Sequence, residues 1–144
     1  MRIARMMTAV AIAWVVAMGL AVAPNAQGQM TDEDYDKLMK SVGQTSGSLR
    51  KNVEGQMADG IAADAKKMTE LMKSNQTFWT QRKNQEAADW AKGAMDHSMA
   101  VEKAVAAKDV AGVADHAKQL MGTCQPCHLK YRDKAADGTY MIKK

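Results

Sequence analysis

Apolar residues recur along residues 31–131 at spacings of three and four, which is the pattern of amphipathic helices. The first such segment begins at Thr31, whose hydroxyl can cap the free backbone N–H groups of a helix, and it closes at Gly55. Its predicted inward stripe consists of Tyr35, Leu38, Met39, Val42, Ser46, Leu49 and Val53. We therefore predict that one face of this helix lies in a core.

Three further segments continue the pattern. We predict a second helix over 59–74, a linker that contains Phe78-Trp79, and a third helix over 84–108. Asp109 caps the fourth helix, which fades near residues 137–138. The predicted buried positions of these three helices are Ile61, Ala65, Met68, Leu71, Met72, Trp90, Ala94, Val101, Val105, Val110, Val113, Ala117, Leu120, Cys124, Cys127 and Tyr131.

The composition favours an all-α fold. No proline occurs between Thr31 and Pro126, and the helix formers Ala, Met, Lys, Glu and Gln are abundant. Four helices of similar length with short connections predict an antiparallel up-down-up-down four-helix bundle. Many inward positions are Ala, Gly, Ser or Met, which leaves two interpretations open: room for a bound group, or tight small-residue packing with Met as filler.

The N-terminal segment has a different pattern. Arg2 and Arg5 precede an unbroken apolar run over 8–23, and small residues follow it. This order is typical of a signal peptide, so we predict a signal over 1–28 and a mature domain over 29–144 that is exported to the periplasm. A retained N-terminal anchor is the alternative. We expect no membrane span after signal removal, because no second long apolar run follows.

The charge is weak. Removing the signal takes away two arginines and no acidic residue, so the formal net charge falls from +4 to +2. Nucleic-acid-binding domains usually carry a strong basic patch, and we therefore predict no nucleic-acid partner.

The two cysteines of the chain lie in the string Cys124-Gln125-Pro126-Cys127-His128. In C-x-x-C-H, two thiols can add across the vinyl groups of haem, and the adjacent histidine can bind the iron. Pro126 removes the hydrogen bond to the carbonyl of Gly122 if the helix continues through it. We expect a local kink there, and the alternative is a helix break with a restart at Pro126.

Three other interpretations of the motif stay open. A thioredoxin-like Cys pair normally follows a strand in a βαβ unit, and the sequence carries no strand signal. A zinc site needs about four ligands, and only His97 and His116 remain as further histidines. A disulfide would close a very small loop and leave His128 without a role. If they do not serve as zinc ligands, we expect His97 and His116 to be ordinary surface or core histidines.

The C-terminal motif resembles that of the class II cytochromes c, the family of cytochrome c-prime and the low-spin cytochromes c-556. As in that family, an aromatic and a basic residue, Tyr131 and Arg132, follow the histidine. The resemblance implies a four-helix bundle with one haem c attached to the last helix through Cys124 and Cys127. It implies that His128 is an axial iron ligand and that Arg132 lies near it.

In low-spin members of the family, a Met on the first helix takes the sixth iron position, commonly in a Met-Lys pair. Met39-Lys40, followed by Gly43 and Gly47, fits that position. A flat macrocycle against the helix would explain the interior glycines, and close packing on a neighbouring helix would explain them equally well. The alternative for Met39 is that it is only a core residue.

The resemblance implies an exported one-electron carrier with a His/Met-ligated haem, which acts with redox partner proteins. A basic cluster, formed by Lys130, Arg132, Lys134, Lys143 and Lys144, is the candidate surface for an acidic partner. The alternatives are a five-coordinate haem protein that binds NO or CO, and a thiol oxidoreductase with a lowered thiol pKa. We find no arrangement typical of a catalytic site and predict that the chain is not an enzyme. The sequence leaves open whether it forms a homodimer.

Overall fold

The computed structural model describes residues 29–136 and 139–143. Its elements, in chain order, are helices α1 (Asp32–Glu54), α2 (Ala58–Gln81), α3 (Gln85–Ala106) and α4 (Val110–Tyr131), then strands β1 (Arg132–Lys134) and β2 (Tyr140–Ile142). The four helices pack against one another, which confirms the predicted all-α class. The predicted signal peptide lies outside the described residues. Within them, no helix has the length and apolarity that crossing a bilayer requires.

Side-chain caps begin three of the helices. The Thr31 hydroxyl accepts from the backbone N–H of Asp34 at 3.1 Å, and the Asp109 carboxylate accepts from that of Gly112 at 2.9 Å. Both caps confirm the sequence prediction. Asn84 does the same for α3 by accepting from the N–H of Ala87 at 3.1 Å. Each cap satisfies a backbone donor that the first turn of a helix leaves free.

The predicted end of the second helix is wrong. Asn75, Gln76 and Thr77 do not stop α2, which continues to Gln81 and contains Phe78 and Trp79. Both aromatic side chains are buried, with 1% and 4% of their surface exposed. Burying two large rings contributes several kcal/mol, whereas Asn and Thr lower helix stability by only about 0.5 kcal/mol each. Packing therefore outweighs local propensity here.

The end of the fourth helix also differs from the prediction. The helix passes through Pro126 without a break and ends at Tyr131, so the alternative of a break with a restart at Pro126 is wrong. It does not fade near 137–138 either, because β1 and β2 pair as an antiparallel hairpin in which Arg132 lies opposite Ile142. Ile142 packs against the buried residues Tyr35, Phe78, Trp79, Ala87 and Ala88 at this end of the bundle. This contact holds the hairpin in place.

The core has two parts. The larger part runs through all four helices and contains Leu49, Met68, Val101 and Leu120, each at most 1% exposed. The smaller part, which we call the aromatic cluster, consists of Tyr35, Phe78, Trp79, Ala87 and Ala88, with Tyr131 packed against it.

The predicted stripes were wrong at several positions, and the buried Ala87, Ala88, Ala91 and Ala104 are missing from them. Val110 is 65% exposed because it opens α4 at its first turn, before the helix reaches its neighbours. Thr45 and Ser98 are buried although the stripes omitted them. Ser98 satisfies its hydroxyl within its own helix, by donating to the carbonyl of Ala94 at 2.9 Å.

The helix contacts are uneven. Consecutive helices pack extensively, whereas α1 and α4 make few contacts with each other. The seam between α1 and α4 is therefore the least tightly closed interface of the four helices.

We expect Leu120→Ala to lower the free energy of unfolding by about 3 kcal/mol, because the side chain is 1% exposed and its loss leaves a cavity. Leu129→Ala on the same helix is the matched control. Its side chain is 70% exposed, so its cost should stay within about 0.5 kcal/mol. Urea unfolding followed by circular dichroism measures both, and equal costs would contradict the described burial.

Candidate functional site

A small cavity lies where α1, α2, α3 and the end of α4 meet. Its lining comprises Tyr35, Met39, Val42, Met72, Asn75, Trp90, Ala91, Ala94, Thr123, Cys124, Cys127 and His128. The structure thus brings four of the predicted site residues to one place: Met39 from α1, and Cys124, Cys127 and His128 from α4. The cavity volume is about 30 Å³, which is the space of roughly one water molecule.

Helical spacing aligns the residues that α4 contributes. Cys124, Cys127 and His128 lie at positions i, i+3 and i+4, which share one side of a helix. Both cysteines are free thiols, so the disulfide alternative is not formed. The Cys124 thiol lies 3.8 Å from the carbonyl oxygen of Leu120, to which it can donate.

Burial keeps the two thiols protonated. It raises the pKa of Cys124, and it raises the pKa of Cys127 to about 11, with further contributions from Cys124 and Glu86. A catalytic thiol needs the opposite, a pKa lowered toward neutrality by nearby positive charge. The described geometry therefore disfavours the thiol-oxidoreductase alternative.

Burial keeps the His128 imidazole neutral. Desolvation lowers the pKa of His128, and the positive charge of Arg132 lowers it further. Neutral imidazole is the form that donates a lone pair to a metal. His128 is thus in the protonation state that metal coordination requires near pH 7.

Open space lies beside α1 at the predicted glycines. A Cβ added at Gly43 or at Gly47 would meet no atom within 4 Å. Close packing on a neighbouring helix, one of the two explanations for these glycines, is therefore wrong. Gly43 does not line the cavity, but it lies one helical turn after Met39, which does.

Tyr131 and Arg132 do not line the cavity either. The Tyr131 ring packs against Trp79 and Trp90 at centroid distances of 5.1 and 6.0 Å, and its hydroxyl donates to Glu86 at 2.8 Å. Tyr131 therefore joins α4 to α2 and α3. Arg132 is exposed, with its guanidinium carbon 4.1 Å from the centroid of the Tyr140 ring.

A larger groove adjoins the cavity along the last turns of α4. Its volume is about 530 Å³, and it is lined by Met121, Cys124, Gln125, His128, Leu129, Arg132, Asp133, Lys134, Tyr140 and Lys143. Cys124 and His128 line both the cavity and this groove. The two motif residues therefore adjoin both the small cavity and a wide opening.

Asn75 is a site residue that the sequence analysis missed. It is 7% exposed and lines the cavity, and its Oδ1 has no hydrogen-bond partner among the described residues. Its amide nitrogen reaches only the sulfur of Met72, at 3.7 Å. The sequence pattern did indicate a buried position, because Asn75 continues the helical spacing of Met68 and Met72. It was not predicted as buried because the second helix was expected to end just before Asn75. A buried, unsatisfied amide oxygen is costly and points to a polar partner in the cavity.

The donor set fits a covalent haem. Two free thiols three residues apart adjoin a neutral imidazole, and a thioether lies across the cavity on α1. The cavity volume is far below that of a macrocycle, so side chains of the α1–α4 seam would have to part. The sparse contacts of that seam and the open space at Gly43 and Gly47 favour such a movement. Within the described residues, no three Cys, His, Asp or Glu side chains form a metal-binding group, which gives the zinc alternative no support.

Comparisons of the chain with protein-family models, curated proteins and solved structures gave no match. The functional interpretation therefore depends on the motif, the resemblance that it carries and the geometry described above.

We expect Cys127 in the haem-free chain to react with iodoacetamide about 100-fold more slowly at pH 8 than an unstructured cysteine, because a pKa of about 11 leaves little thiolate. The rate should rise with pH up to about 11, since only the thiolate reacts. Mass-spectrometric alkylation kinetics measure this. The urea-unfolded chain is the control and should react at the ordinary rate. A plateau near pH 7 in the folded chain would contradict the described burial.

Gly43→Ala should stabilise the haem-free chain by roughly 0.5–1 kcal/mol, because alanine favours a helix interior and its methyl group meets nothing within 4 Å. Gly60→Ala is the matched control on α2. There the methyl group would lie 2.7 Å from the side-chain nitrogen of Asn52, which also donates to Asp64. Urea unfolding should show a smaller gain or a loss for Gly60→Ala. An equal gain at both positions would contradict the described space.

Proposed function

We propose that the chain is an exported class II-type cytochrome c that carries one electron at a time in the periplasm. In this proposal the helices form an antiparallel up-down-up-down bundle, as the short connections between them favour. One haem c is attached to α4 through Cys124 and Cys127. The observation that carries the proposal is the meeting of Met39 with Cys124, Cys127 and His128 around one cavity.

The bound haem supplies an iron centre that gains and loses one electron. The chain would supply the attachment and the donors to the iron. Cys124 and Cys127 would hold the group on α4 by thioether bonds, and neutral His128 would donate from the same helix. Met39, on α1, offers a soft thioether from across the seam. Because the two donors lie on different helices, binding would tie α1 to α4, the pair that otherwise makes few contacts.

The cavity walls support an electron carrier. Met72, Val42 and the rings of Tyr35 and Trp90 line the same cavity as Met39 and make its wall largely apolar. If protein donors filled both free positions of the iron, such a surrounding would exclude small ligands and leave one-electron exchange as the remaining chemistry. Asn75 is the polar exception in this wall, and its free amide oxygen can accept from a water or a donor of the bound group.

A basic rim around the larger groove favours an acidic redox partner. Arg132, Lys134 and Lys143 line the groove, with Asp133 as a single acidic neighbour. Lys143 also donates to the carbonyl oxygen of Leu129 at 3.0 Å, which fixes its position on the rim. Lys130, a member of the predicted basic cluster, forms an ion pair with Glu86 on α3, which neutralises part of its charge. Lys144, another member, lies outside the described residues. Opposite charges on a partner would speed its association.

A five-coordinate protein that binds NO or CO is the second candidate. One observation favours it: Met39 is half-buried and packs against both parts of the core. A methionine with such contacts can serve as a packing residue alone. The two candidates differ in whether Met39 reaches the iron.

An optical spectrum of protein exported from a host with haem-attachment machinery distinguishes them. We expect a covalent haem with sharp reduced bands, a weak far-red methionine-to-iron band and no response to carbon monoxide. High-spin bands that shift with carbon monoxide would instead support the five-coordinate alternative. A colourless protein would overturn both proposals and return the motif to thiol chemistry.

Met39→Leu should abolish the far-red band and open the iron to carbon monoxide, because leucine keeps the volume and lacks the sulfur. Met95→Leu is the matched control, since Met95 is also half-buried but lies outside the cavity lining. The same spectra recorded for both variants provide the readout. An unchanged far-red band in Met39→Leu would show that another residue ligates the iron.

A further inference from the structure

A second group of metal-ligating side chains lies away from the candidate haem site. His97 on α3 and His116 on α4 face each other across the helix interface, with ring centroids 6.1 Å apart and ring planes inclined by 33°. His116 precedes His128 by twelve residues on α4, which places it about 18 Å along the helix axis from that ligand. The pair is therefore separate from the cavity.

One ring nitrogen of this pair lacks a hydrogen-bond partner among the described residues. The Nδ1 of His116 is fully buried, and no hydrogen-bond partner for it exists among residues 29–136 and 139–143. A buried imidazole nitrogen without a partner loses its hydration and gains nothing in exchange. A lone pair held in this way beside a second imidazole is suited to a metal ion or to a water molecule.

We propose that His97 and His116 form a two-imidazole site for a divalent transition-metal ion of the copper and zinc type. Imidazole nitrogen is a preferred donor for these ions. Two imidazoles on one tetrahedral ion have ring centroids about 5 Å apart. The observed 6.1 Å is close to that separation, and small side-chain rotations bring the rings nearer. Because α3 and α4 pack extensively, the backbone positions that carry the two imidazoles are held close together.

The remaining coordination positions belong to water. Within the described part of the chain, no third Cys, His, Asp or Glu joins the pair. The two adjacent carboxylates are engaged elsewhere, since Asp96 pairs with Lys92 and Asp115 accepts from the side chain of Gln119. Two protein donors with water in the other positions give a moderate affinity and an accessible ion.

The inference does not depend on the haem. The experiment uses protein exported from a haem-attaching host, with any free thiols alkylated in urea before refolding so that Cys124 and Cys127 do not take up the added metal; a His128→Asn background removes the remaining imidazole of the motif. Zinc chloride at ~1 mM should then raise the melting temperature, measured by circular dichroism, by about 5 °C. The zinc-induced rise in melting temperature is expected whether the thiols carry haem or are alkylated. A negative result for haem attachment therefore leaves the two-imidazole proposal intact, and the reverse also holds.

Two variants and a control test the ligands. His97→Asn and His116→Asn should each weaken zinc binding at least tenfold and remove most of the thermal shift. Asp115→Asn, next to His116 but engaged with Gln119, should keep the shift. A shift that persists in both histidine variants would overturn the proposal, as would its absence in the parent protein.

A second measurement does not rely on the variants folding. Copper(II) added to the parent protein should give an electron paramagnetic resonance spectrum with hyperfine splitting from two imidazole nitrogens, after subtraction of the metal-free spectrum. Splitting from one nitrogen or none would overturn the proposal and leave a bridging water as the occupant of the pair.

Discussion

The candidate site depends on the aromatic cluster at one end of the bundle. The Tyr35 ring stacks on Phe78 at a centroid distance of 4.0 Å, and its hydroxyl accepts from the indole N–H of Trp79 at 3.0 Å. Such ring pairs contribute about 0.5–1.5 kcal/mol each beyond their buried area. Trp79 also packs on Tyr131, at the end of α4. This cluster therefore fixes the start of α1 and the end of α4 relative to α2, and so it sets where Met39 and His128 lie.

The same arrangement explains why the α1–α4 seam is loosely closed. The cluster and the hairpin hold this end of the bundle, while extensive contacts join α1 to α2, α2 to α3 and α3 to α4. None of these contacts requires α1 and α4 to pack tightly. The exposed glycines at 43 and 47 leave the backbone of α1 uncovered one and two turns after Met39. A bound flat group would use this freedom without disturbing the larger core.

Burial determines the chemistry available to the motif. The thiols stay protonated and the imidazole stays neutral because the low-dielectric surroundings disfavour charge on each of them. Slow, unreactive thiols are poor catalysts of disulfide exchange, but a neutral imidazole is a ready ligand. The buried environment of the motif therefore disfavours thiol catalysis and suits metal ligation by His128, two interpretations that the string C-x-x-C-H leaves open. At His116 the relevant observation is geometric: its Nδ1 is buried and has no hydrogen-bond partner among the described residues, which is what motivates the proposed two-imidazole site.

The sequence by itself determined the helices and most of the site. Spacings of three and four placed α1 and its inward Met39, the caps at Thr31 and Asp109 marked helix starts, and the motif placed Cys124, Cys127 and His128 on one side of α4. These are local features, and the pitch of a helix fixes them. Tertiary structure decided the rest. Phe78 and Trp79 belong to α2 because their burial outweighs the local propensity that predicted a linker, and that continuation brings Asn75 into the cavity. The meeting of His97 with His116, and of Met39 with His128, depends on how separate helices pack, which no local pattern specifies.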